Sequence, residues 1–286
     1  HVRSNTVVRT KRSVLGLPAK AHSLEAPAIL VRGTAHGRRF HLQVTAAPIF
    51  GGDSEKHLWG MVPDIDLQDE MRANQDPEWV VITLRGNGEM GGDRALEADP
   101  LRSWIDLSRE TDRWGIHRAY VNLVTTDTDG KLWMAMDEAA IALAQKLAGG
   151  EAGAIQYLYK KNDSLNSPAQ ATWNTDPPPP SVNGDRNDPR NKVRDGLGTT
   201  HHEAGTLFLG ENPESSITDL DGKLHKSANA YVVGPACFPT LGSANPSLTA
   251  FTLAKRTAEV ICLKARSVPV GFSAEGATFK ATDFAP

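Results

Sequence analysis

The 286-residue chain is 40% hydrophobic and 23% charged, which suffices for one large domain or two ordinary ones and excludes a disordered chain. Its 31 Lys and Arg against 34 Asp and Glu leave a formal charge of −3, without the basic excess that nucleic acid or anionic lipid calls for. The apolar runs are far shorter than the roughly 20 residues of a membrane helix, and the 2 cysteines cannot build a disulfide framework, which fits a reducing compartment such as the cytoplasm.

The chain opens on His1-Val2-Arg3-Ser4-Asn5, without Met, and drops straight into the β-branched run at 6–10. That start reads as an internal cut in a longer polypeptide; a deliberate truncation is the alternative. Strands are expected at 28–33 and 40–45, on either side of the hairpin-like Ala35-His36-Gly37-Arg38. Others are expected at 79–85 and 117–124. The connections are too short for parallel crossovers throughout, so the sheet is expected to be antiparallel.

The period then changes. From 131 to 148 the apolar residues Leu132, Met136, Ala140, Leu143 and Leu147 form one helical stripe, closed by Gly149-Gly150. A second helix is expected at 152–161. Residues 164–199 are rich in Pro, Asn and Asp and read as a long loop. Coming just before a pair of histidines, that loop is expected to be mobile and to lie near a substrate entrance or a partner. A strand is expected at 229–234. A helix is expected at 246–264, with Leu248, Phe251, Ala254, Ala258 and Ile261 on one side, Asn245 as its cap and Pro246 as its first residue.

Three constellations bear on chemistry. Gly86-Asn87-Gly88-Glu89-Met90-Gly91 has the G-x-G-x-x-G form, but the acidic, proline-broken segment after it is no helix to hold a pyrophosphate. A glycine-rich turn accounts for it better. His201-His202-Glu203 points successive side chains to opposite sides of an extended chain and lacks metal-ligand spacing, leaving a catalytic histidine or a structural one. Gly234-Pro235-Ala236-Cys237, running on to Ser243-Ala244-Asn245-Pro246-Ser247, is a loop leading into a helix start. It can let the backbone approach a flat ligand and offer it unpaired N–H groups, or it is simple capping.

Taken in order, H-x-x-G-T at 202–206, Asp221-Gly222-Lys223-Leu224-His225, the 229–233 run and Asn245-Pro246-Ser247-Leu248-Thr249 resemble the C-terminal end of the glucose–methanol–choline (GMC) oxidoreductases. Ser243-Ala244-Asn245-Pro246 also looks like the pyranose oxidases and related bacterial sugar oxidoreductases. The likeness is dense over 200–264. Where the family often has Asp after the Val-Val run, this chain has Gly234-Pro235, and Glu203 replaces the Pro that follows the family's first His.

The resemblance implies an α+β fold. Residues 1–199 would be a substrate-binding domain, an antiparallel sheet backed by helices. Residues 200–286 would be a C-terminal segment completing a flavin-binding domain whose N-terminal part is missing from this chain. It implies FAD as cofactor, an alcohol or sugar as substrate, oxygen or another electron acceptor, and a companion chain carrying the nucleotide-binding half. It places His202 and Asn245 in catalysis, and Gly234, Pro235, Asn245, Pro246 and Ser247 at the flavin. His1 would match a His that the family often carries after its early flavin-binding region. His202 would take the hydroxyl proton, Asn245 would donate to the substrate oxygen, and the helix start would stabilise charge on the reduced flavin. The alternatives are a non-redox ligand-binding or regulatory subunit, or a flavin-containing enzyme of the hydroxynitrile lyase type.

Overall fold

The computed structural model describes residues 1–17, 29–47, 76, 78–91, 103–151, 153–159, 171–181, 197 and 202–267. Period-2 patterning in the first half becomes strands β1 (Val2–Lys11), β2 (Ile29–Ala35), β3 (Arg38–Ala47) and β4 (Trp79–Gly88). The hairpin joining β2 to β3 turns on His36 and Gly37, both at positive φ (50° and 74°), as a two-residue turn matched to strand twist requires. With β7 (Ile155–Tyr159) and β8 (Thr172–Asn174), these strands form a six-stranded antiparallel sheet in the order β2-β3-β4-β1-β7-β8.

Helix α1 (Asp127–Leu147) covers one face of that sheet. Thr126 caps it and shares a reciprocal capping box with Asp129. The register Val2↔Gly88, Ser4↔Gly86, Thr6↔Leu84 and Val8↔Ile82 sends these residues towards α1, where Leu132, Trp133, Met136, Ala140 and Ala144 complete the core. Gly86 and Gly88 belong to that packing. A Cβ on Gly88 would lie 2.8 Å from Leu132 Cδ2, and one on Gly86 would lie 3.3 Å from Met136 Cβ. Gly86-Asn87-Gly88 is therefore the end of β4, neither a phosphate loop nor the turn expected from sequence. Its glycines let α1 approach the sheet.

The opposite face is polar. Register aligns Arg3, Asn87 and His41 in one row across β1, β4 and β3, and Asn5, Arg85 and Gln43 in the next. Asn87 is buried and its Oδ1 has no hydrogen-bond partner among the described residues.

Four expectations need correction. Residues 155–159 form β7, not a helix. Positive φ at Gly149, Gly150 and Gly153 turns the chain back, and the aromatic, β-branched run adds to β1 through pairs such as Thr10↔Ile155. Within 164–199, residues 172–174 form edge strand β8; apart from 171–181 and 197, that segment lies outside the described residues. The run at 229–234 makes only a single bridge, Lys223↔Tyr231, and Val233 is exposed. Its backbone closes a turn onto 222–224 instead. Helix α2 (Ser247–Ser267) begins one residue later than expected, so Pro246 precedes it, and Leu248 and Phe251 of its apolar side are exposed. A separate hairpin, β5 (Trp104–Thr111) with β6 (His117–Asn122), adds an unforeseen strand before the 117–124 run and is braced by stacking of Trp104 on Tyr120.

Chain contacts divide the molecule into two compact units. The first is 1–206 with 240–246; the second is 207–239 with 247–286. The second consists of α2, a short 3-10 turn (Pro235–Cys237) and irregular chain held by turns and ion pairs, including Arg256 with Asp221 at 3.1 Å. No helix among the described residues is long and apolar enough to cross a membrane.

Candidate active site

Within the first unit, the end of the sheet where β1 begins collects the chemistry. His1 leads into β1 and its ring is buried. His1 Nδ1 lies 2.8 Å from Nδ1 of His202, and the two rings meet edge to face with centroids 4.9 Å apart. His1 Nε2 lies 2.9 Å from the carbonyl oxygen of Gly242. One residue back, the Leu241 N–H donates to Glu89 Oε1 at 2.6 Å, and Glu89 follows directly on β4. Loop 240–246 is thus fastened to the ends of β1 and β4 by two hydrogen bonds. Gly242 takes a φ of 71°, a backbone state that favours glycine.

His202 is half-buried at this junction, and Asn245 stands exposed at the far end of the fastened loop. His201 lies outside the described residues. Pro246 is buried in the first unit, whereas Gly234, Pro235 and Ser247 belong to the second. Gly234, at φ 91°, enters the 3-10 turn that starts at Pro235. Ser247 opens the 21-residue α2, whose first N–H groups have no acceptor within the helix and lie at its positive dipole end. Ser247, Leu248 and Thr249 are exposed there. That donor set fits the acceptor-rich edge of a flavin ring, where negative charge gathers on reduction.

The chemistry available follows from donor and acceptor counting. A carbonyl oxygen only accepts, so His1 Nε2 carries the hydrogen bonded to Gly242. When the His1 ring is neutral it offers a lone pair at Nδ1, to which His202 donates from its own Nδ1. His202 is left with a lone pair on Nε2, the form a general base needs. Sequence reasoning singled out His202 and Asn245; Glu89 and Gly242 lie in runs it read as a glycine-rich turn and a loop before a helix, and their part in fastening that loop was not foreseen.

Other polar clusters are structural. Ser216 Oγ sits 2.8 Å from His225 Nε2, but its proton goes to the carbonyls of Asn212 (2.7 Å) and Gly210 (3.1 Å), so the hydroxyl is spent holding a turn. Asp129, fully buried, accepts from Arg38 at 2.6 Å, from the Gly91 N–H at 2.7 Å and from Thr126, fixing the start of α1 against the sheet edge. Burial pushes the Cys237 thiol above its ordinary value, and the thiol bonds the Val232 carbonyl. Among the described residues, no group of three or more His, Cys, Asp or Glu side chains is placed to hold a metal ion.

Comparison with known proteins points the same way. Residues 101–254, just over half of the chain, match the C-terminal family model described as GMC oxidoreductase. The match reaches well upstream of residue 200, into segments whose local motifs are weak. The chain is also similar to paromamine 6'-oxidase of Streptomyces fradiae, with 37% identity over 60 residues, 21% of this chain and 11% of that protein. With the histidine pair, the fastened loop and the exposed helix start in one chain, and the family model spanning residues 101–254, the chain belongs to the GMC oxidoreductase family.

Proposed function

We propose that this chain supplies the substrate-facing and proton-handling part of an FAD-dependent oxidoreductase that converts a CH–OH group of an alcohol or sugar to a carbonyl. The observation that carries the proposal is the 2.8 Å contact of His1 with His202, beside the loop that leads to Asn245. A hydroxyl proton passes to His202 Nε2 as the C–H bond breaks. The Asn245 amide donates to the substrate oxygen and holds the carbon in place. The hydrogen leaving carbon carries the electron pair, and FAD, when bound, supplies the acceptor for that hydride. Gly234, Pro235, Asn245, Pro246 and Ser247 are the residues we assign to the flavin, and a helix start is suited to stabilise charge on a reduced ring.

A sugar or polyol is favoured over a simple alkanol by two observations. The similar protein of Streptomyces fradiae is a paromamine 6'-oxidase. The sheet face bearing Arg3, Asn5, Arg85, Asn87 and His41 is rich in hydrogen-bonding groups, the kind of surface a polyol suits better than an alkanol. A companion segment completes the site by gripping the adenine dinucleotide.

The complete complex should be yellow and should bleach anaerobically when a sugar or alcohol substrate is added. Flavin that binds but never bleaches across a panel of sugars and primary and secondary alcohols would contradict the oxidoreductase assignment. Stoichiometric FAD kept by the isolated chain through gel filtration would contradict the companion segment alone.

A further inference from the structure

We propose that His1 is a positioning residue that selects the tautomer of His202 and ties it to the loop carrying Asn245. This role deepens the assignment of His202 as base and rests on it only for its rate consequences.

Three groups stand in line within the first unit: the Gly242 carbonyl, the His1 ring and the His202 ring. Each end of the His1 imidazole is engaged, at 2.9 Å by Nε2 and at 2.8 Å by Nδ1. The Gly242 carbonyl has no proton to give, so His1 Nε2 carries a hydrogen, and in the neutral His1 ring that makes Nδ1 the acceptor. Hydrogen runs from His1 Nε2 to Gly242, and from His202 Nδ1 to His1 Nδ1. A proton added to His1 would reverse the second bond. His202 would then accept at Nδ1 and carry its hydrogen on Nε2, where it cannot take a proton from substrate. His1 does the work that a carboxylate does in other histidine-based sites: it holds one nitrogen protonated so that the other stays basic. It differs in that its far end is fastened to the loop leading to Asn245, so one ring registers both partners of the proposed pair. Gly242 and Glu89 complete the brace, since the neighbouring Leu241 N–H is held by Glu89.

Two substitutions separate this role from mere packing. His1→Gln keeps one donor and one acceptor on a side chain of similar reach. His1→Leu keeps bulk and removes both. The first measurement is a long-range 15N–1H correlation spectrum of the histidine-labelled full chain, which identifies the protonated nitrogen of each ring and needs neither flavin nor turnover. Wild type should show His202 protonated on Nδ1 with a pyridine-type Nε2. His1→Gln should keep that pattern, and His1→Leu should lose it. In the flavin-loaded complex, His1→Leu should slow anaerobic flavin reduction about 10²–10⁴-fold with little change in KM, and His1→Gln should recover most of the loss. A wild-type spectrum with the His202 proton on Nε2 overturns the proposal without any variant, as does a His1→Leu protein that keeps the Nδ1–H form. If the spectra behave as expected but His202→Ala leaves flavin reduction unchanged, the tautomer selection stands and the assignment of His202 as base falls.

Discussion

At the scale of single residues, Asn245 and His41 give the sharpest expectations. The structure puts Asn245 outside the helix, exposed, on a loop fastened at Leu241 and Gly242. Replacing it should therefore leave the fold almost untouched. Asn245→Asp keeps the shape, but its carboxylate cannot donate to a substrate oxygen. Anaerobic flavin reduction should fall about a hundredfold or more in Asn245→Asp, with a melting temperature close to wild type. Flavin reduction at the wild-type rate would leave Asn245 as a loop residue only.

His41 is a different case. It is buried on the polar sheet face, and desolvation holds its pKa below the ordinary 6.5. The unfolded chain therefore binds this proton more readily than the folded one. Stability from a neutral His41 is full above pH 6.5 and is lost as pH falls from there through the depressed folded value. His41→Gln should flatten the decline in melting temperature as pH falls below 6.5, relative to wild type. Parallel declines would mean that His41 is not what the sheet loses on acidification.

At the scale of elements, the two glycines ending β4 are the test. Gly88→Ala puts a methyl 2.8 Å from Leu132 Cδ2 at the centre of the α1 contact, so either α1 or the Leu132 rotamer must give way. A loss of about 1–3 kcal/mol is expected in urea or thermal unfolding, with the antiparallel sheet retained by circular dichroism. An unchanged midpoint would mean that α1 does not sit down on β4 as described.

The same two glycines show what sequence can and cannot convey. Period-2 runs named β2, β3, β4 and β6 because those strands alternate or carry β-branched residues, and the Leu132, Met136 and Ala140 stripe named α1 because its apolar positions repeat at helical spacing. What failed was local information whose meaning lies in distant partners. Gly86 and Gly88 look like a loop motif, yet a helix far along the chain requires them. Residues 155–159 are too few to display a period, and only the free edge of β1 makes them a strand. The 229–233 run is apolar enough for a strand but finds no second strand among the described residues. At the site, the sequence singled out His202 and Asn245 because their neighbours repeat a family pattern, and the structure puts His202 against His1 and Asn245 on the loop fastened at Gly242. The brace of Glu89, Gly242 and His1 is made by contacts across the chain that no spacing announces.

At the scale of the whole molecule, the function is divided. The first unit holds the His1–His202 pair, the loop that carries Asn245 and the polar sheet face, and the second contains α2. The proposed function assigns proton removal to His202, which lies in the first unit. The most direct test is the rate of anaerobic flavin reduction in the complete complex carrying His202→Ala, with His201→Ala as the control and bound FAD quantified in each. A base at His202 requires a fall of about 10²–10⁴-fold for His202→Ala with FAD still bound, and near-wild-type reduction for His201→Ala. Reduction at the wild-type rate in His202→Ala, or a larger loss in His201→Ala, would contradict it.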